Sequence, residues 1–529
     1  MLPLTTSSLL AALQLSPLFD FESACSLTSL SQISFSQNTT LFQASVVPAG
    51  TQLQFPDTDP TCGPSPKVVP ADICRVTLEV ETSPTSRINM EAWLPRNWTG
   101  RFLSTGNGGL NGCIKYPDLV YTTSLGFAAV GANNGHNGTS GAPFDDAPEV
   151  VNDFAYRSIH TNAVVGKQIT KSFYGEPHKK SYYLGCSTGG RQGLKSVEDF
   201  PEDFDGVVAG APAANFNGLL AWSGHFLTEI TGNSTQPTFI PLDLWKGLIH
   251  DSIFSQCDGI DGVKDGIIED PNLCDYDPSV LLCQGGDSDS DCLTEDQVET
   301  VRKVFSPFLS SDGQTVLYPR AQPGLELNEL GMMVNGTLFQ YTADWYRYVV
   351  YDRNTSFDPT TLTLADYEHG IALDPSNIST FKGDLTSFKA RGGKLLTFHG
   401  QADGLISSRM AELYYDHARE VSGELDDYYR FFRISGMSHC QRGPGAWQIG
   451  QGSANGTSFD PERNVLTAMV AWVEQGRAPE TIEGVKYVDD DVEKGVAFSR
   501  RHCMWPLRNV YDGEGDPSHP DSWSCREAS

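Results

Sequence analysis

Ser187 stands at the centre of Gly185-Cys186-Ser187-Thr188-Gly189, a G-x-S-x-G pattern followed by Gly190. Such a serine becomes a nucleophile when a short strand delivers it into a tight turn and a helix leads the chain away. Tyr182 to Leu184 supply the β-prone approach and Arg191 to Asp199 the helical exit, while glycines at 185 and 189 let strand and helix close together without an intervening Cβ. A serine hydroxyl also needs a base, and the base needs a carboxylate to orient it. Asp403 lies just beyond the apolar run Gly393 to Gly400, and His439 lies in the loop after Phe431 to Ile434. His399, four residues before Asp403, is a competing imidazole that reads as a structural hydrogen-bonding group.

Strands and helices must alternate to hold these residues. Val76 to Val80, Ile88 to Leu94, Phe102 to Leu103, Phe127 to Val130 and Asp205 to Ala211 read as strands, with a helix-like piece from Leu119 and a long helix from Phe154 to Phe173. Val465 to Gln475 puts Leu466, Met469, Val470 and Val473 on one face, as a covering helix does. Alternation of this kind predicts a parallel sheet covered on both sides, and the order Ser, Asp, His is that of an α/β-hydrolase core. The glycine-dense loop Gly106 to Gly112 follows an early strand, where this fold draws one backbone N–H of its oxyanion hole; Gly109, or Gly108, fills that role, and Thr188 supplies the second N–H. From about Ala213 the periodicity weakens, so residues 213–386 are expected to form an inserted lid between two parts of a catalytic domain, 19–212 and 387–529. Its Trp345, Tyr346 and Tyr348 read as core, with stacking on a substrate ring as the alternative.

The chain of 529 residues has 66 acidic and 37 basic side chains, a formal charge of -29, and no lysine- or arginine-rich run. Nucleic acid is excluded as a partner by that balance. Residues 1–18 are apolar, uncharged and too short and polar to span a membrane, and read as a secretory signal. Sequons at Asn38, Asn97, Asn137, Asn233, Asn335, Asn354, Asn377 and Asn455 agree with export. So do twelve cysteines, an even number without a C-x-x-C zinc spacing. Short loops favour Cys257 with Cys274, Cys283 with Cys292 and Cys503 with Cys525. If Cys25, Cys62, Cys74 and Cys113 pair among themselves, Cys186 and Cys440 remain. They adjoin Ser187 and His439, and a disulfide holds its Cα atoms about 5.5–6 Å apart, so this bridge would set nucleophile and base side by side.

Within the insertion, Asp258, Asp261 and Asp265 alternate with glycines in Cys257 to Asp270. With the carbonyls of Val263 and Ile267 they suit a hard, oxygen-loving cation, although Asp-Gly pairs also make ordinary turns. The loop lacks EF-hand spacing.

Taken together, Cys186-Ser187, Asp403, His439-Cys440, Gly106-Asn107-Gly108-Gly109, Tyr183 to Gly193 and the aspartate loop resemble fungal type-B feruloyl esterases of the tannase family, over nearly the whole chain from Cys25 to Cys525. The resemblance implies an α/β-hydrolase core with an inserted lid, a structural calcium at the aspartate loop, and bridges Cys25–Cys74 and Cys62–Cys113. It also implies secretion and hydrolysis of phenolic-acid esters: feruloyl, p-coumaroyl and caffeoyl groups on plant cell-wall polysaccharide. A tannase acting on galloyl esters is the alternative enzyme, and an inactive hydrolase-fold carbohydrate-binding protein the alternative of another class. The intact set of Ser187, Asp403 and His439 argues against the latter.

Overall fold

The computed structural model describes residues 19–284, 291–352, 356–452 and 456–527; the signal stretch 1–18 and the sequons at Asn354 and Asn455 lie outside them. Nine strands form the main sheet: β1 Thr39–Val47, β2 Ile73–Ser83, β3 Ser86–Pro95, β4 Arg101–Thr105, β5 Ala128–Ala132, β6 Lys180–Cys186, β7 Gly206–Gly210, β8 Lys394–Gly400 and β9 Tyr429–Ile434. Their spatial order is β1-β2-β3-β5-β4-β6-β7-β8-β9. The first three run antiparallel to their neighbours, and from β5 to β9 every pairing is parallel. A parallel sheet of this kind is buried on both faces, and the side chains alternate accordingly. In β6, Tyr183 joins one apolar layer while Tyr182 and Leu184 join the opposite one.

Five helices cover the sheet: α1 Tyr116–Ser124, α2 Ser158–Tyr174, α3 Thr188–Asp199, α4 Arg409–Ser422 and α5 Val465–Gln475. Ile159, Ile169 and Phe173 of α2, Leu194 and Val197 of α3 and Tyr414 and Tyr415 of α4 pack in one layer. Val465, Leu466 and Met469 of α5 pack in the other. This is the α/β-hydrolase arrangement, with β1 added at its antiparallel edge.

The chain between β7 and β8 is a large helical insertion with its own apolar cluster, in which Trp222, Trp245, Trp345 and Tyr367 are buried. Phe154, Ile406 and Met410 join that cluster to the core domain. Trp345 and Tyr346 are each 1% exposed, and the Trp345 indole N–H donates to Asn217 Oδ1 at 3.0 Å. They belong to the interior, which overturns the alternative that they stack on a substrate.

Beyond α5, β10 Thr481–Tyr487 and β11 Val496–Cys503 form an antiparallel hairpin that periodicity did not suggest. Arg500 of β11 reaches back to the insertion, pairing with Asp265 at 2.7 Å and Glu269 at 2.8 Å. All six expected disulfides are formed, Cys25–Cys74, Cys62–Cys113, Cys186–Cys440, Cys257–Cys274, Cys283–Cys292 and Cys503–Cys525. The six described sequon asparagines, 38, 97, 137, 233, 335 and 377, are all exposed.

The Cys186–Cys440 bridge joins residues 254 apart in sequence, with Cα atoms 6.5 Å apart. In the chain-entropy view, cross-links closing long loops restrict the unfolded chain most. A Cys186→Ala/Cys440→Ala variant should therefore lose about 2–5 kcal/mol of unfolding free energy. Urea unfolding followed by tryptophan fluorescence would read this, and an unchanged midpoint and slope would contradict it.

Candidate active site

β6 ends at Cys186 and α3 begins at Thr188, so Ser187 alone makes the turn. Its φ of 66° and ψ of -123° are a conformation that side chains other than glycine rarely adopt. The turn is tied down on both sides. Ser187 N–H donates to the Gly210 carbonyl at 3.0 Å, and the Ser187 carbonyl accepts from Arg191 N–H at 2.9 Å and Ala213 N–H at 3.2 Å. The flanking glycines are needed for clearance: a Cβ on Gly185 would lie 2.7 Å from the Gly189 carbonyl oxygen, and one on Gly189 would lie 2.8 Å from that of Asn107. Tyr183 reinforces the crossing by donating its hydroxyl to Gly189 O at 2.6 Å.

Asp403 leaves the end of β8 with its carboxylate buried. Oδ1 accepts from the N–H groups of Leu405 at 2.8 Å and Ile406 at 2.9 Å. Oδ2 accepts from His439 Nδ1 at 2.7 Å and His399 Nε2 at 3.1 Å. Burial alone would raise its pKa, but the two imidazoles outweigh burial and hold the carboxyl well below the usual carboxylate range. His399 is thus a direct partner of the acid; its Nε2 also lies 3.1 Å from the Ile406 carbonyl, so both neighbours are acceptors and Nε2 carries the proton. For His439, burial favours the neutral form, but the Asp403 charge and hydrogen bond, with Glu329 beyond, raise its pKa above the ordinary value.

The insertion closes this corner. Asn328 donates to the Ala402 carbonyl at 2.8 Å, and Gly404 packs so tightly that a Cβ there would lie 2.6 Å from Leu330 N. Glu329 Oε2 is buried without a hydrogen-bond partner. Burial first, and then the Asp403 charge, push the Glu329 carboxyl upward.

Ser187 and His439 line one cleft of about 490 Å³, shared with Gly108, Gly109, Asn111, Lys115, Asp118, Gln441 and Gln451. No described residue hydrogen-bonds the Ser187 hydroxyl. Thr188 is the first residue of α3, so its N–H has no acceptor inside the helix. Its hydroxyl donates to the Gly109 carbonyl at 2.8 Å, fixing the glycine loop against the turn. Gly109 has φ +52°, and a Cβ there would run into the Tyr341 ring. A small apolar slot that adjoins the cleft at Gly109, Ser187, Tyr341 and Leu405 is lined by Phe216, Leu219, Leu220, Phe339, Tyr341 and Ile406. These slot residues escaped sequence reasoning because most come from the insertion, where no periodicity marks an inward face. Lys115 and Asp118 were missed too, although their closeness to the Gly106–Gly112 loop is a usable signal. Burial pushes the Asp118 carboxyl up to about 6 against the pull of Lys115.

In the aspartate loop, Asp258, Asp261 and Asp265 each turn one oxygen to a backbone N–H, of Gly266, Val263 and Ile267 respectively. Asp265 spends its other oxygen on Arg500, whereas Asp261 Oδ2 is buried and unpartnered. Burial and then the nearby acids raise Asp261 to about 7. Among the described residues no three His, Cys, Asp or Glu side chains converge as a metal cluster. A cation here would draw on main-chain carbonyls as well, and the orphaned Asp261 oxygen fits a hard one.

A family model described as tannase and feruloyl esterase matches residues 74–526. A probable feruloyl esterase B-2 from Aspergillus fumigatus is 55% identical over 484 residues, covering 90% of this chain and 91% of that protein. The crystal structure of feruloyl esterase B from Aspergillus oryzae superposes with a TM-score of 0.91 at 48% identity, covering 96% of this chain and all of that one. Tannin acyl hydrolase from Aspergillus niger shares the fold, with a TM-score of 0.74 at 20% identity over 96% of this chain and 95% of its own. The chain belongs to the tannase and feruloyl esterase family, a family of carboxylic ester hydrolases.

Proposed function

We propose that this chain is a secreted serine esterase that hydrolyses hydroxycinnamate esters, feruloyl, p-coumaroyl and caffeoyl, of plant cell-wall polysaccharide. The observation that carries the reading is the 2.7 Å hydrogen bond from His439 Nδ1 to the buried Asp403 carboxylate, at the edge of the cleft that Ser187 also lines. The likeness to feruloyl esterase B supports the acyl group. Six disulfides and exposed sequons support export.

In the reaction, Ser187 Oγ bonds to the ester carbonyl carbon as its proton passes to His439 Nε2. Asp403 holds the Nδ1–H and stabilises the imidazolium, and the N–H groups of Thr188 and Gly109 bind the oxyanion. Collapse breaks the carbon–oxygen bond to the alcohol, which leaves with the proton from His439. Water then attacks the acyl-enzyme with His439 again as base, releasing the phenolic acid and restoring the serine. One oxyanion donor is worth about 3 kcal/mol of barrier.

Calcium is proposed at the aspartate loop, held by the carboxylates of Asp258, Asp261 and Asp265 and the carbonyls of Val263 and Ile267. It would supply charge neutralisation and no step of hydrolysis. The loop nonetheless stands close to the site, because Ile267 Cγ2 lies 3.2 Å from where a Cβ on Gly436 would be, three residues before His439.

Purified protein should release acid from methyl ferulate and methyl caffeate faster than from methyl gallate, and Ser187→Ala should abolish release. A gallate preference would move the same site to tannase, and an active Ser187→Ala would falsify the nucleophile. His439 must be neutral to accept the proton, so kcat/KM should rise with pH through a value above the ordinary 6.5. Asp403→Asn removes the charge that raises His439; the acid limb should shift to lower pH and kcat should fall about 10⁴-fold. An acid limb that stays put in that variant would sever the proposed coupling. Chelation with EDTA should lower the thermal unfolding midpoint and added calcium restore it, with neither effect in Asp261→Asn.

A further inference from the structure

The edge of the main sheet carries a groove lined by neither Ser187, Asp403 nor His439. Among the described residues β1 pairs only with β2, and it does so through a bulge. Leu41 stands opposite Leu78 and Gln43 opposite Thr77, so Phe42 is an extra residue with no partner across the strands. A bulge of this kind re-aims the side chain it inserts. Phe42 is 55% exposed and lines a groove of about 700 Å³, together with Phe55 and Tyr116, whose rings stack 3.6 Å apart. An outward apolar ring on an edge strand is a feature that folded proteins cover, because an unpaired strand edge is a template for another chain.

Asn137, the first residue of the sequon Asn137-Gly138-Thr139, lines the same groove. Its amide is preset. Asn133, 3% exposed, donates from Nδ2 to Asn137 Oδ1 at 3.1 Å, and the Asn133 oxygen is itself held by the N–H groups of Asn89 at 2.9 Å and Gly135 at 3.3 Å. With Oδ1 turned to Asn133, the Nδ2 that would bear a sugar faces away from it. The main chain of the sequon is fixed as well. Thr139 N–H donates to Thr61 Oγ1 at 3.0 Å and the Gly138 carbonyl accepts from Gly112 N–H at 2.9 Å, both beside the Cys62–Cys113 bridge. A glycan on so rigid a base is held to one course at little further cost in entropy.

The lining suits its first sugars. An N-acetylhexosamine ring has apolar C–H faces, which rest on the electron-rich face of an aromatic ring such as Phe42. Its rim carries hydroxyl and acetamide groups. Among the described residues no hydrogen bond engages the side chains of Gln54, Asp57 or Asn89, which line the groove and can pair with that rim.

We infer that an N-linked glycan at Asn137 lies in this groove, its first sugars packed on Phe42, and so covers the free edge of β1. The inference rests on the export reading above, because export is what brings the sequon to the glycosylating enzyme. There Asn137 Nδ2 loses a proton and bonds to the anomeric carbon of an oligosaccharide, and the lipid diphosphate that carried the oligosaccharide leaves.

The test uses protein secreted by a eukaryotic host that attaches high-mannose glycans. Glycopeptide mass spectrometry should find Asn137 occupied. Endoglycosidase H, which cuts between the first two sugars, should release the Asn137 glycan at least tenfold more slowly from native than from heat-denatured protein. Release at Asn233 and Asn335, which line no part of the groove, should differ less than threefold between the two states. Phe42→Ala should bring native release at Asn137 within threefold of that at Asn233, with methyl ferulate turnover unchanged as the sign of an intact fold. Thr139→Ala, which removes the glycan and keeps the Asn137 side chain, should speed amide hydrogen exchange across residues 39–47 at least threefold. A bare Asn137 in exported protein, equal native release at Asn137 and Asn233, protection that survives Phe42→Ala, or exchange that Thr139→Ala leaves unchanged would overturn the inference and leave the secreted esterase standing. A chain retained in the cell with every sequon bare would overturn the export reading and the inference with it.

Discussion

The geometry of the site depends on how closely bare backbone can crowd around Ser187. The β6–α3 turn, the Gly106–Gly112 loop and the end of β7 meet there with hydrogen bonds from Ser187 to Gly210 and from Thr188 to Gly109. The places where a Cβ would intrude are occupied by Gly185 and Gly189. This crowding forces Ser187 to a positive φ, a conformation that costs of order 1–3 kcal/mol and persists only where the surroundings over-determine it. The same crowding places Ser187 on the cleft and leaves the Thr188 N–H, at the start of α3, without an acceptor inside the helix. The proposed nucleophile and oxyanion donor are thus two results of one packing constraint.

Asp403 is the electrostatic counterpart of that constraint. A carboxylate taken out of water becomes neutral unless donors replace the water, and Asp403 receives four: two main-chain N–H groups and two imidazoles. His399 matters here as much as His439. With Nε2–H committed to Asp403 and Ile406, it keeps the anion solvated at a position the substrate cannot reach. Glu329 opposes this arrangement, since a partly buried acid facing Asp403 favours its own proton while its negative form would strengthen the imidazolium of His439.

Reading the chain as a string recovers those parts of the site whose chemistry is local. The strand-turn-helix around Ser187 is written in contiguous residues, and the apolar strand ending at Gly400 announces Asp403. The adjacency of Cys186 to Ser187 and of Cys440 to His439 turns a covalent constraint into a spatial one before any fold is known. What stays hidden is non-local. Among the described residues strand β1 pairs only with β2, and its alternation is too weakly amphipathic to stand out, as five of its nine residues are half-exposed and three exposed. The slot residues Phe216, Phe339 and Tyr341 come from separate helices and turns of the insertion, so no spacing connects them. Trp345 and Tyr346, the aromatics most conspicuous in the sequence, are buried because the insertion needs a core of its own.

The insertion has a second effect that follows from where it touches the core. Asn328 and Leu330 press on the Asp403 loop from one direction, while Ile267 presses on Gly436 and Arg433 pairs with Asp270 at 3.0 Å from another. Asp403 and His439 therefore sit on loops that each have a contact with the insertion, whereas Ser187 is held by the sheet and its own helix. Arg500 ties the aspartate loop to β11, so the C-terminal hairpin shares in holding the histidine loop. Loops bearing catalytic groups need rigid support to keep distances within tenths of an ångström. Here that support comes from segments distant in sequence from the residues they hold, and the Cys186–Cys440 bridge makes the join between the two supported halves covalent.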